Sequence, residues 1–184
     1  MNLRNHFLIS MPHMNDQNFS HTLTYICDHS EQGAMGIVIN RPLDLSLKDI
    51  LGHLELDTED MRAPDMPVYR GGPVQGDRGF VLHSPSKNAW ASTLPVDEGI
   101  HLSTSLDILE SIATGGGPEH YLVALGYAGW GAGQLEDEIG HNAWLSCPAD
   151  LDIIFSTVAS KRLDAAASLL GINLDLLPLE PGHA

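Results

Sequence analysis

The chain has 184 residues and a mass of 19.9 kDa, enough for one domain with a proper core and too little for two of ordinary size. Hydrophobic residues make up 43% and charged ones 18%, which excludes a disordered chain. Nine Lys and Arg against 24 Asp and Glu leave a formal net charge of -15, and the cations are scattered, so direct contact with nucleic acid is not expected.

The opening "MNLRNHFLISMPHMND" has too short an apolar run for a signal peptide. No stretch approaches the ~20 apolar residues of a membrane span, so the chain is expected to be cytoplasmic. "HFLISM" (6–11) predicts a buried strand, and Pro12 punctuates the loop after it. "HTLTYICDH" (21–29) alternates, with Leu23, Tyr25 and Cys27 on one face. "SEQG" turns the chain, and "MGIVIN" (35–40) predicts the hairpin partner, ended by Arg41-Pro42.

Ser46 and Asp49 form a capping-box variant at the head of a short helix, "LKDILGHL". Residues 55–67 carry five acids and two prolines and predict a solvated loop. "VYR", "GFVLHS" (79–84) and "IHLSTS" (100–105) predict further strands. Thr104 and Asp107 are candidate caps for a helix with Leu106, Leu109, Ile112 and Ala113 on one face, ended by "GGGP" (115–118). "HYLVALGY" (120–127) and "NAWLSC" (142–147) predict strands, and residues 158–170 an amphipathic helix stopped by Gly171. Strands grouped early with irregularly spaced helices indicate an α+β class and one domain over 1–184.

Between the last two strands lies "LGYAGWGAGQLEDEI" (125–139), with four glycines around Trp130. A glycine-rich turn entering a helix suggests phosphate binding, but Glu136, Asp137 and Glu138 already occupy the positive end of the helix dipole. There is no Lys-Ser/Thr pair, and the spacing is not GxGxxG. The expected structure is a cramped turn that packs Trp130, followed by a helix from Gln134 to Ile139.

"HFLISMP", "GAMGIVINRP" (33–42), "YRGGPVQGDRGFVLH" (69–83) and "LGYAGWGAGQLEDEI…NAWL" stand in one order across nearly the whole chain. Together they resemble the AlgH/YqgE family of bacterial cytoplasmic proteins. The resemblance implies a single α+β domain whose mixed or antiparallel sheet bends strongly into a pseudo-barrel flanked by helices. It also implies the family's label of transcriptional regulator, with no reaction established. Carried over by position, the motif residues are Asn40, Arg41 and Pro42; Gly71, Gly72, Pro73 and Val74; and Gly129, Trp130, Gly131, Gly133, Gln134, Leu135 and Glu138.

Cys27-Asp28-His29 is the most chemical tripeptide. In a regular strand Cys27 and His29 share a face, and a histidinium beside a thiol lowers its pKa; the plain alternative is that Cys27 follows Leu23 and Tyr25 into the core. The two cysteines, Cys27 and Cys147, form no CxxC pair, so no disulfide framework is expected. Arg41 could fork onto an anion or form a structural ion pair, and Gly71-Gly72 could form an anion nest or an ordinary turn. The ten histidines show no HxH, HxxxH or HExxH, so neither a metal nor a cofactor is expected.

Three functions follow. The first is a regulator acting indirectly, through an unidentified protein partner or small molecule. The second is a small-molecule-binding protein or enzyme whose pocket collects Asn40, Arg41, Gly71, Gly72, Trp130, Gln134 and Glu138. The third is a thiol redox role at Cys27 with His29.

Overall fold

The computed structural model describes residues 1–180, so the last four residues of the expected domain lie outside the described ones. Strand β1 (His6–Ser10) runs antiparallel between β10 (Trp144–Pro148) and β2 (Leu23–Ser30). β2 forms the expected hairpin with β3 (Gly33–Val38). β3 then pairs with the far half of β9 (Tyr121–Gly131), and the sheet continues through β6 (Val74–His83), β8 (Ile100–Ser103) and β7 (Thr93–Asp97). β4 (Pro42–Ser46) and β5 (Pro67–Arg70) form a side hairpin, and β5 runs parallel to β9. Among the described residues the ten strands curl strongly into a half-barrel with five α-helices around it, an α+β domain.

β9 is where the curl is built. It lies beside β5 at Ala124 and Leu125 and beside β3 from Ala128 to Gly131. Between the two, Gly126 adopts φ +75°. A Cβ on Gly126 would overlap the Gly72 carbonyl, and one on Gly71 would overlap the Gly126 carbonyl. The glycines thus let two backbones cross in contact. The expected turn around Trp130 is corrected here: β9 continues through Gly129, Trp130 and Gly131, with Trp130 opposite Ala34. Pairing with β3 overrides glycine's poor strand propensity, and the turn is confined to Ala132-Gly133.

The helices follow the local code with two corrections. α1 (Leu47–His53) has the Ser46/Asp49 capping box in full. α2 (Leu106–Thr114) starts after Ser105 rather than Thr104, and it buries Ile108 while leaving Leu106 57% exposed. The Asp107 carboxylate accepts from the Ser105 hydroxyl and the Ala91 N–H, and the buried face keeps Leu109, Ile112 and Ala113 with Ile108 in place of Leu106. α3 (Gln134–Gly140) has Glu136 and Asp137 in its first turn. α4 (Leu151–Phe155) has no counterpart in the sequence reading, and neither do β4 and β7; α5 (Ala159–Leu169) ends before Gly171 at φ +70°. β4 begins on a proline and β7, at the sheet edge, contains Pro95, which masked both as loops.

Alternation along the strands separates the cores. Leu82, Leu122 and Ala124 join Phe7, Tyr25 and Ile37 in the main core, closed by Ile153, Ile154, Ala166 and Ala167 of α4 and α5. Their neighbours Val81 and Val123 face the other way, against Ile50, Ile108, Leu109 and Ile112 of α1 and α2. A third cluster packs Leu8, Ile26, Trp130 and Trp144 under Leu135 of α3.

Candidate functional site

Strand β9 delivers Trp130 beneath α3, and one helical turn separates Gln134 from Glu138 on the helix above it. The Trp130 indole N–H donates to Glu138 Oε2 at 2.9 Å, and the Trp144 indole N–H donates to the same oxygen at 2.8 Å. The Gln134 amide donates to Glu138 Oε1 at 3.0 Å, while its oxygen accepts from the Gly131 N–H at 3.0 Å. Phe19 lies 5.9 Å from the Trp130 ring and 5.6 Å from the Trp144 ring, completing an aromatic cluster. Three of the expected ligand residues, Trp130, Gln134 and Glu138, are thus brought together, but their polar atoms satisfy one another. The geometry is that of a clamp holding α3 on the sheet.

Asn40 and Arg41 sit at the opposite end of β3 and form a second clamp. Asn40 Oδ1 accepts from the Leu23 N–H and its amide donates to the His21 carbonyl. The Arg41 guanidinium donates to the carbonyls of Gln17, Asn18 and Ser20, so it bridges a loop rather than pairing with an acid. Burial, followed by the nearby Arg70, lowers its pKa. Gly71 donates its N–H to the Leu125 carbonyl, and a Cβ on Gly72 would overlap the Tyr127 backbone. These two glycines serve the β9 crossing. The seven expected ligand residues therefore form three separate structural devices rather than one cleft.

Of the two readings of Cys27, the place in the core is the one observed, and the pairing with His29 is not formed. A bulge between Ile26 and Asp28 breaks the alternation of β2. Cys27 stays in the main core, fully buried, and burial, followed by the Asp28 charge, pushes its thiol pKa up. His29 instead accepts the Leu3 N–H on Nδ1 at 2.9 Å, which leaves Nε2 to donate to Glu136 Oε1 at 2.7 Å. The Glu136 backbone N–H, with His29 next, holds the Glu136 carboxyl below its ordinary range. Cys147 is buried as well, and its thiol pKa is also raised.

The open space lies elsewhere. A groove of about 800 Å³ runs between α1, α2 and the start of β6. Ile50, Val81, Leu109 and Leu125 floor it; Leu54 and Leu106, 38% and 57% exposed, form its lips. Gln75, Asp77 and Arg78 lie on its rim, and a second cavity of about 370 Å³ continues beyond Gln75 and Arg78 past Phe80 and Tyr127. Arg78 donates to Gln75 Oε1 at 3.2 Å, and its guanidinium carbon lies 5.5 Å from the centre of the Phe80 ring. None of the seven expected ligand residues lines either cavity. The signal was within reach: "QGDRG" lies inside the family-like block at 69–83, but the motif residues carried over from that block end at Val74. Among the described residues no three His, Cys, Asp or Glu side chains gather as metal ligands, and no helix is long and apolar enough to cross a membrane.

Comparison with known proteins agrees with this architecture. A family model described as AlgH-like matches residues 7–175. A UPF0301 protein of Thioalkalivibrio sulfidiphilus is 58% identical, over 100% of this chain and 97% of its own. A UPF0301 protein of Hahella chejuensis is 56% identical, over 99% and 96%. The solution structure of the AlgH protein from Pseudomonas aeruginosa superposes with a TM-score of 0.81 at 53% identity, covering 100% of this chain and 97% of that one. A Corynebacterium diphtheriae protein at 17% identity shares the fold alone, with a TM-score of 0.70 over 96% of this chain and 89% of that one.

Proposed function

The chain belongs to the AlgH-like family, and on that premise we propose that it is a regulatory protein influencing transcription indirectly, through a protein partner or a ligand. The observation that carries this is the use of its cations. Of nine Lys and Arg, three hold the protein's own backbone: Arg4 on Pro95 and Val96, Arg41 on the 17–20 loop, and Arg162 on Ile39 and Thr157. That leaves six against 24 acids (nine minus three), too few and too dispersed to neutralise a run of phosphates. A gel shift with duplex DNA at about 150 mM salt tests it. No specific complex is expected; sub-micromolar binding with a steep salt dependence overturns the reading.

A second reading, a small-molecule-binding protein or enzyme, is favoured by the groove between α1 and α2. Its place is not beside Asn40, Arg41, Gly71 and Trp130, whose polar groups are occupied, but on the α1–α2 face. A ligand-dependent rise in melting temperature across a metabolite panel separates it from regulation through a protein partner alone.

A further inference from the structure

We propose that the groove between α1 and α2 binds a small amphiphilic anion, an acyl-sized apolar body bearing one carboxylate seated on Arg78. This deepens the reading that the protein works through a bound molecule by naming that molecule's chemistry. A space of about 800 Å³ fits a small-molecule site, for which volumes of about 300–1,000 Å³ are usual. Its floor is aliphatic, and its lips place two exposed leucines, Leu54 and Leu106, along one apolar trough.

Arg78 supplies the charge. Gln75 and the Phe80 ring hold its guanidinium in place, and among the described residues no carboxylate lies within 4.0 Å of it, in a chain with 24 acids. One donor is used on Gln75, which leaves the fork free for a carboxylate. Gln75 itself has φ +49°, a left-handed conformation in a residue other than glycine, and such strain gathers at ligand sites. Gly79, on the floor, has neither a left-handed φ nor a backbone neighbour that would exclude a side chain; a Cβ there would meet only Leu109 Cδ1 at 4.0 Å. Its lack of a side chain keeps the trough open. Asp77 shares the rim, which makes a cationic amphiphile the competing occupant.

The test titrates the full chain with decanoate, 1-decanol and decyltrimethylammonium below their aggregation concentrations, following Leu and Ile methyl resonances. Wild type is compared with Arg78→Gln, a change at an exposed side chain, and with Gly79→Phe, which fills the trough; Gly79→Val replaces the latter should phenylalanine disturb folding. Saturable decanoate binding is expected, with shifts at Ile50, Leu54, Leu106 and Leu109. Arg78→Gln should weaken decanoate about tenfold and leave decanol unchanged, a loss of about 1.4 kcal/mol. The trough-filling variant should lose both. No saturable decanoate binding, tighter binding of the ammonium, or an unaltered decanoate affinity in Arg78→Gln overturns the proposal. DNA binding in the gel shift beside normal decanoate binding would instead remove the indirect-regulator reading and leave the site standing.

Discussion

Replacing Glu138 by alanine removes the acceptor shared by the Trp130 and Trp144 indoles and by the Gln134 amide. A hydrogen bond to a charged acceptor contributes about 1.5–3 kcal/mol. Glu138 is half-buried, so water replaces part of this, and the low end applies to the two indole bonds. The expected loss is about 3 kcal/mol, or roughly 6–12 °C in Tm for a chain of this length. Glu138→Gln should lose less, about 1–2 kcal/mol, because its amide oxygen still serves the indoles while its NH2 meets the NH2 of Gln134. Gln134 cannot turn over to relieve that clash without giving up the Gly131 N–H. Urea unfolding followed by tryptophan fluorescence and far-UV CD measures both losses, and a double-mutant cycle with Trp130→Phe isolates the indole bond. A Glu138→Ala protein within about 0.5 kcal/mol of wild type would refute the clamp and return Glu138 to the candidates for ligand contact.

Two further outcomes are expected. The fully buried His83 donates from Nδ1 to the Ser84 carbonyl and accepts the Ser103 hydroxyl on Nε2, and burial lowers its pKa from the ordinary 6.5. Below pH 6.5 the unfolded chain therefore binds more protons at this residue than the native state, so its contribution is full above pH 6.5 and is lost as pH falls through the lowered folded value. Stability measured from pH 7.5 down to about 5 should fall more in wild type than in His83→Gln, and parallel profiles would rule the assignment out. At the thiols, burial without a nearby imidazole predicts slow alkylation of both Cys27 and Cys147 in the native state, with Cys27 no faster in wild type than in His29→Ala. Rapid labelling of Cys27 below neutral pH, slowed in His29→Ala, would restore the redox reading.

Local patterns carried the elements whose causes are local. The β2–β3 hairpin follows from alternation around a turn, α1 from Ser46 and Asp49, and the end of α5 from Gly171. Edge strands β4 and β7 escaped because proline reads as a break, and an edge strand tolerates it. The motif residues were legible as a set, since their spacing marks the family. Their roles were not, because a polar side chain that clamps a neighbour and one that awaits a ligand are the same residue in sequence.

By itself the sequence determined the α+β class, the formal net charge of -15, the β2–β3 hairpin, the cap of α1, and the family. Tertiary structure alone decided that "AGWG" is strand, because β3 lies alongside it, and that Cys27 and His29 part company, because one bulged residue reverses the alternation of β2. It also decided where the open space lies. A groove is made by side chains from α1, β6, α2 and β9 that are distant along the chain, and the strand pairings that bring those elements together are non-local, so no window of sequence contains the site.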